Sequence, residues 1–133
     1  MREQHRDKER LEHILTAINR VRRYTKGKAY EDLLIDDMMY YAVVKNIEIM
    51  GEAANMLTQE FQTAHPETPW KMVKGMRNYI VHEYFQIDSA VVWDVVSSEL
   101  PTLRQQIEQY LSDTNWEEWE NQESVSQTNP NNQ

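Results

Sequence analysis

The sequence predicts an all-α protein, an up-and-down bundle of roughly four to five helices that pairs with a second copy of itself. Apolar residues recur at the three- and four-residue spacing of amphipathic helices in several separate stretches. No stretch alternates apolar and polar residues in the way that marks a half-buried strand. A chain of 133 residues is long enough for one domain with a single core. We expect that helical domain at residues 1–112 and an acidic and polar tail at residues 113–133.

Composition limits the kinds of site that the chain can build. It has no cysteine, which excludes disulfides, a thiolate nucleophile and a cysteine-based zinc site and suits a reducing compartment. The highly charged amino terminus lacks the apolar core of a signal peptide, and no apolar run approaches the ~18 residues of a membrane helix. These features predict a soluble cytoplasmic protein with no membrane partner.

The charge of the chain is unevenly distributed. The formal net charge is -8, which argues against a protein that coats nucleic acid nonspecifically. Residues 1–28 nevertheless carry 9 basic and 4 acidic side chains, a balance of +5, so the remaining 5 basic and 18 acidic residues give -13. An acidic protein of this kind can bind RNA through a local basic strip or dock a basic partner through its acidic surface. Charge does not decide between the two.

The first helix is predicted from about Asp7 to Tyr24, with an apolar stripe that consists of Leu11, Ile14, Leu15, Ile18 and Val21. Gly27 should end it. Five cations crowd its carboxyl end: Arg20, Arg22, Arg23, Lys26 and Lys28. The helix dipole favours cations there by ~0.3–1 kcal/mol each, so the cluster is either simple helix electrostatics or an RNA contact.

A second helix is predicted over about residues 30–61, since no proline interrupts it. Its apolar side chains spread over more than half of its circumference, which is more surface than one small domain can cover. We therefore expect part of this arc to form a dimer surface. Gly51, in mid-helix, is more typical of a close-packing position than of a break. Glu48 and Glu52 either orient basic groups of an active site or form a solvated face.

The third helix should open at Trp70, because Thr68 can cap it and Pro69 suits its first position. Its inward positions are Val73, Met76 and Ile80. The other side presents three cations: Lys71, Lys74 and Arg77. This side either steers an RNA phosphodiester or is a hydrated face, so Lys71 and Lys74 are candidate RNA contacts.

A fourth helix should follow a short turn, with Asp88 as its cap. Its apolar stripe reaches about Ser112. Pro101 should kink this helix or restart it after residues 97–99, because proline removes one helical hydrogen bond and clashes with the preceding turn.

The composition shifts from residue 113 onward to acidic and then polar residues, without a basic side chain. Segments of this kind bury too little apolar surface to fold, so we expect a disordered tail. Trp116 and Trp119 are the exception, because two tryptophans three positions apart could dock on something.

An arginine and a histidine stand five positions apart near the end of the third helix. Arg77 can grip phosphoryl oxygens through its planar guanidinium, and His82, with an ordinary pKa of ~6.5, can take and give a proton. On an ideal helix five positions correspond to about 140°, so the two side chains would not share a face. Either the helix ends near His82 or the site is assembled across two chains, and the two possibilities are compatible. Arg77 and Tyr84 would line up.

Two short segments enclose this pair: Gly75-Met76-Arg77-Asn78 and Val81-His82-Glu83-Tyr84. Further segments lie on both sides, over roughly residues 7–110: Arg10-Leu11, Gly51-Glu52-Ala53-Ala54, Pro69-Trp70, Val92-Trp93-Asp94 and Leu100-Pro101. In this order they resemble the signature of HEPN-domain proteins of the HepT type. These are the toxin half of toxin–antitoxin pairs whose partner is a minimal nucleotidyltransferase.

The resemblance implies a HEPN-fold, metal-independent endoribonuclease without a cofactor, the toxin of a type VII HEPN/MNT pair that cuts mRNA or tRNA. Two protomers would bring both motifs into one cleft, with Arg77 and His82 as catalytic residues and Asn78 in a supporting hydrogen bond. In that family the tyrosine two positions after the histidine accepts AMP from the partner nucleotidyltransferase. The resemblance therefore assigns this role to Tyr84.

Two other functions stay open. A catalytically silent HEPN module could be an antitoxin or the substrate-binding subunit of a nucleotidyltransferase, although a scaffold has no need of the complete motif. A helical adaptor could recruit another protein through its acidic surface. A metal site is a weaker candidate: His5, Glu9 and His13 fall four apart, but they lie on a terminal segment that is prone to fray.

Overall fold

The computed structural model describes residues 6–83 and 88–121, and of residues 78–83 the backbone alone. All regular structure in these ranges is helical, which confirms the predicted all-α class. In chain order the elements are α1 (Asp7–Thr25), α2 (Tyr30–Ile35), α3 (Asp37–Asn55), α4 (Gln59–Ala64), α5 (Trp70–Glu83), α6 (Ser89–Asp94), a π-helical segment (Val95–Glu99) and α7 (Leu100–Asp113). Residues 116–121 form a further short helix. Within the described ranges, no helix has both the length and the apolar character needed to cross a membrane.

The long helices run up and down. At the start of α1, the Asp7 carboxylate accepts hydrogen bonds from the amide and the hydroxyl of Thr58, at 2.9 and 2.7 Å, just beyond the end of α3. Arg104, near the start of α7, donates to the Asn19 side chain near the end of α1 at 2.9 Å. These contacts make α1 antiparallel to both α3 and α7.

The core includes the apolar stripe that the periodicity predicts for α1. Its members at full burial are Leu11, Ile14, Ile18 and Val21, while Leu15 packs at the edge of the core. Burial of one aliphatic side chain contributes ~1.5–3 kcal/mol. The stripe is therefore the main physical reason that α1 stays packed on α3 and α7.

The prediction of one continuous second helix over about residues 30–61 is wrong. The chain interrupts it at Asp36 and again between Met56 and Thr58, which produces α2, α3 and α4. The Asp36 carboxylate accepts from the Met39 amide at 3.0 Å, and the Thr58 hydroxyl accepts from the Phe61 amide at 3.1 Å. Each side chain satisfies an amide at the start of a new helix and so competes with continuation of the old one.

α5 begins at Trp70, as the sequence predicts, but the Thr68 hydroxyl does not cap it. That hydroxyl donates to Gln106 Oε1 at 2.7 Å and forms a hydrogen bond with the Tyr110 hydroxyl, both in α7. Burial raises the pKa of Tyr110 to about 12. The contact sets the start of α5 beside the end of α7, so α5 is parallel to α1 and the two helices end at the same end of the bundle.

Asp88 caps α6 as predicted, since its carboxylate accepts from the Ala90 amide at 2.8 Å. The helical backbone then continues without a break from α6 through the π-helical segment into α7, because the residues at both junctions have right-handed helical φ and ψ. Pro101 lies in the first turn of α7, where a missing N–H costs least. Immediately before it, the Leu100 amide donates to the Val95 carbonyl. This i to i-5 bond is the hydrogen bond of a π-helix, and it encloses one more residue than the i to i-4 bond of an α-helix. It links the π-helical segment to the first residue of α7.

The chain beyond α7 packs on the bundle. Trp116 stacks on Phe61 with ring centroids 5.9 Å apart. Trp119 meets the same ring edge to face at 5.6 Å, and its indole N–H donates to the Asp7 carboxylate at 3.0 Å. Residues 116–121 are therefore not the expected disordered tail: aromatic burial and a satisfied indole outweigh the acidic composition. Residues 122–133 lie outside the described residues.

Candidate active site

The candidate site begins at a close approach between α3 and α5. Gly51 of α3 faces the backbone of Arg77 in α5: a Cβ built on Gly51 would lie 2.5 Å from Arg77 N and 2.6 Å from Arg77 Cβ. No side chain fits at that separation, so glycine is what allows the two helices to approach. This confirms the prediction that Gly51 is a close-packing position.

The next residue of α3 holds the arginine. Glu52 Oε2 accepts from Arg77 Nε at 2.8 Å, and the two side chains are 52% and 38% exposed. A hydrogen bond between two ionised groups is shorter and stronger than a neutral one. Glu52 thus pairs with a basic group and is also partly hydrated.

An open cavity of about 310 Å³ adjoins this pair and shares Glu52 with it. Its charged lining comes from α1 and α3 and includes Arg10, His13, Lys45 and Glu48. The Lys45 ammonium lies 3.6 Å from the Glu48 carboxylate, so Glu48 pairs within α3 and not with the arginine. Arg10 and Lys45 bring two cations to this open cavity next to the Glu52–Arg77 pair, and cations in an open cavity can attract an anionic strand.

The other predicted cations of α5 point towards solvent. Lys71 is exposed and Lys74 is half-buried, and neither forms an ion pair with the side chains described, those of residues 6–77 and 88–121. Along α5, Lys74 follows Lys71 by three positions and Arg77 follows Lys74 by three. Residues at this spacing are neighbours on the surface of a helix. The predicted RNA contacts Lys71 and Lys74 therefore form one row with the arginine, on its amino-terminal side.

The remaining predicted residues are only partly described. Asn78 and His82 belong to the backbone of α5, and their side chains lie outside the described residues. Tyr84 lies outside them altogether. α5 is helical through Glu83, one residue beyond His82, so the two members of the motif stand five helical positions, or about 140°, apart on one chain.

The sequence names two groups near the site without indicating which residues they contact. The partnership of Glu52 and Arg77 joins residues that are 25 positions apart, and only the neighbouring glycine signals that a second helix approaches there. His13, on α1, appears in the sequence as a weak metal candidate. In the structure it lies 3.9 Å from Glu9 and lines the cavity, and no cluster of three His, Asp or Glu among the described residues could hold a metal ion.

Comparisons with a family model and with known proteins agree with one another over most of the chain. The family model described as ribonuclease HepT-like matches residues 14–110. A protein of Caldanaerobacter subterraneus subsp. tengcongensis with the provisional name RNase is 37% identical over 101 residues, which cover 76% of this chain and 90% of that protein. A protein of Thermococcus cleftensis named probable ribonuclease HepT is 35% identical over 108 residues, or 81% of this chain and 96% of that protein. No solved structure matches the chain.

Proposed function

The chain belongs to the HepT-like ribonuclease family, and on that premise we propose that it is a metal-independent endoribonuclease, the toxin of a type VII HEPN/MNT toxin–antitoxin pair. The observation that carries the proposal is the anchored guanidinium. α3 and α5 meet at Gly51, and Glu52 fixes Arg77 at the start of the segment that ends in His82. A positive charge that is held in place before substrate binds can stabilise a transition state without first being reorganised.

RNA supplies its own nucleophile in this reaction. The 2′-hydroxyl oxygen attacks the adjacent phosphorus and loses its proton to a general base, the bond from phosphorus to the 5′ oxygen breaks, and a general acid protonates that oxygen. His82 takes one of the two proton-transfer roles, and Arg77 stabilises the added negative charge of the phosphorane. The products are a 2′,3′-cyclic phosphate and a 5′-hydroxyl. Asn78 supports the site by a hydrogen bond, and Lys71 and Lys74 attract the strand.

Two protomers build one cleft in this proposal, because five helical positions separate the two catalytic groups of one chain. The support for pairing is exposed apolar surface. Ile35 and Met38 are 82% and 86% exposed, with Leu34 and Tyr41 beside them. α2 contacts α6, and α6 in turn lines an apolar cavity of about 320 Å³ between α3 and α5. Large exposed apolar side chains near an open apolar cavity are typical of an interaction surface.

The experiment that tests the function is cleavage of total RNA by the purified protein in the presence of EDTA. We expect cleavage to persist, with 2′,3′-cyclic phosphate and 5′-hydroxyl ends, because every step uses protein groups or the substrate's own hydroxyl. A matched 2′-O-methyl RNA should resist cleavage, since its nucleophile is blocked. Intact RNA, or products with 3′-hydroxyl and 5′-phosphate ends, would contradict the proposal.

Replacing Glu52 by glutamine should lower the kcat of cleavage several-fold with little change in KM. The amide oxygen can still accept a hydrogen bond, but the charge-assisted bond that orients Arg77 is lost. Both side chains are partly exposed, so the free energy of unfolding should change by less than about 1 kcal/mol. Glu12→Gln removes the same charge from an exposed position of α1 that does not line the cavity, and it should cleave like wild type. Equal losses in both variants would mean that net charge, and not the Glu52–Arg77 contact, is responsible.

Tyr84 is the proposed point of control. A partner nucleotidyltransferase transfers AMP from ATP to it: the phenol oxygen attacks the α-phosphorus, pyrophosphate leaves, and the phenol proton passes to solvent. The added phosphate and nucleoside would stand at the end of α5 and compete with RNA for the cations of the cleft.

Incubation with the partner and ATP should therefore raise the mass of the wild-type protein by AMP units and suppress cleavage in proportion. Tyr84→Phe should gain no AMP and stay active in the presence of the partner, as measured by intact mass and by RNA cleavage in the same sample. A Tyr84→Phe protein that still gains AMP would exclude Tyr84 as the sole acceptor. This result would leave the nuclease proposal untouched.

A further inference from the structure

A second cationic feature lies away from the candidate active site. An open groove of about 600 Å³ separates the carboxyl end of α1 from the π-helical segment and the start of α7. Arg22, Arg23, Lys26 and Lys28 form one wall, and Trp93 and Pro101 are on the other. No acidic side chain lines it, although the chain carries a formal net charge of -8.

The backbone turns the cationic wall into the groove. After the last residue of α1, Lys26 has φ -61° and ψ 127°, Gly27 has φ 73°, and the Lys28 amide donates to the Thr25 carbonyl at 2.9 Å. These values describe a type II turn, whose third position requires the left-handed conformation that glycine adopts without strain. The turn reverses the chain and returns Lys28 to the groove that Arg22 and Arg23 already line.

The four cations are exposed, and none of them forms an ion pair with an acid in the described part of the chain. Helix electrostatics accounts for Arg22 and Arg23, which lie in the last turn of α1. The effect falls off within that turn and does not explain why the next two cations face the same space. Like charges at close range repel each other, so an arrangement of this kind is stabilised by an anion that binds between them.

We propose that this groove, here called the α1 groove, binds single-stranded RNA, with phosphates on the cationic wall and a base on Trp93. Trp93 is half-buried: it packs on the core and also lines the groove. Cations that follow a backbone, opposite an aromatic ring that can stack a base, are the combination that single-stranded nucleic acids require. An acidic protein segment would use the cations but has no need of the indole.

The location of the groove adds a binding surface to the proposed nuclease. The biological role of the groove rests on that proposed function. α1 and α5 end at the same end of the bundle, so the α1 groove lies at the end where the segment from Arg77 to His82 terminates. A strand held there would be presented to the cleavage site of its own protomer or of a second copy. The groove thus binds the strand, whereas the Arg77 site cleaves it.

The test measures binding without cleavage. The full-length protein is titrated into a short fluorescein-labelled 2′-O-methyl RNA, and anisotropy gives Kd at several salt concentrations. Arg23→Gln/Lys26→Gln should raise Kd at least tenfold at low salt and reduce the salt slope, by ~0.7 for each lost phosphate contact. The matched control is Arg6→Gln/Lys8→Gln, which removes one arginine and one lysine from the opposite end of α1 and should bind like wild type.

A second variant tests the indole. Trp93→Leu should raise Kd about tenfold, as expected for ~1–3 kcal/mol of base stacking, and should leave the salt slope unchanged, while circular dichroism reports whether the fold is retained. Wild-type affinity of the groove variant, or equal losses in groove variant and control, would overturn the proposal. Binding of an acidic peptide of equal length as tightly as RNA would also overturn it and would identify a protein as the occupant. Because the RNA cannot be cleaved, this result does not depend on whether the protein is a nuclease.

Discussion

Replacing His82 by alanine should slow RNA cleavage by about 10²–10⁴-fold, the range that one positioned proton-transfer group contributes. Without the imidazole, either the 2′-hydroxyl keeps its proton during attack or the 5′ oxygen leaves as an alkoxide. Single-turnover cleavage of one defined RNA in EDTA measures the loss. Circular dichroism and sedimentation should report unchanged helix content and unchanged dimerisation. A well-folded His82→Ala protein that cleaves at the wild-type rate would remove His82 from the mechanism.

The same variant reports on assembly when it is mixed with Arg77→Ala. Each variant alone should cleave RNA far more slowly than wild type, but a mixed dimer has an intact arginine on one copy and an intact histidine on the other. If the cleft combines groups from both copies, co-expression should restore part of the activity. Mixed dimers that form and stay inactive would show that each site needs both groups from one chain, which the 140° separation on α5 makes difficult.

Local patterns predicted most of the fold. The stripe of α1, the start of α5 at Trp70 and the cap at Asp88 all follow from spacing and from side chains within four residues. The breaks at Asp36 and Thr58 do not follow from local patterns, because they depend on tertiary packing. Neither residue is a strong helix breaker, and each becomes a cap only because the next helix has a separate place to pack. A continuous apolar pattern therefore could not reveal that three helices share it.

The candidate site is likewise predictable only in part from the sequence. The resemblance identified the residues from Arg77 to Tyr84 as a motif, but no local rule connects Arg77 with Glu52 on another helix. The docking of Trp119 on Asp7 is an even longer connection, across 112 positions. Contacts at such sequence distances depend on how the helices cross, and a single sequence carries that information only indirectly, here in the glycine that precedes Glu52.

Replacing Gly51 by alanine should destabilise the protein and impair cleavage together. The new Cβ would meet the backbone of Arg77 at 2.5 Å, and backbone cannot rotate away as a flexible side chain can, so α3 and α5 must move apart. Overpacking of this kind costs about 1–3 kcal/mol or more. A displacement of ~1 Å of a catalytic group can lower the rate about 10²-fold. Urea denaturation and single-turnover cleavage measure the two effects.

Gly75→Ala is the matched control, because it makes the same chemical change on α5, where an added Cβ meets nothing within 4 Å. It should gain the ~1 kcal/mol by which alanine exceeds glycine in a helix. Gly51→Ala has the same intrinsic gain, so the difference in unfolding free energy between the two variants reports the strain at the α3–α5 contact alone. If both variants gained stability equally and cleaved RNA like wild type, the approach of α3 would not be what positions Arg77, and Glu52 would have to hold the guanidinium without help from the backbone beside it.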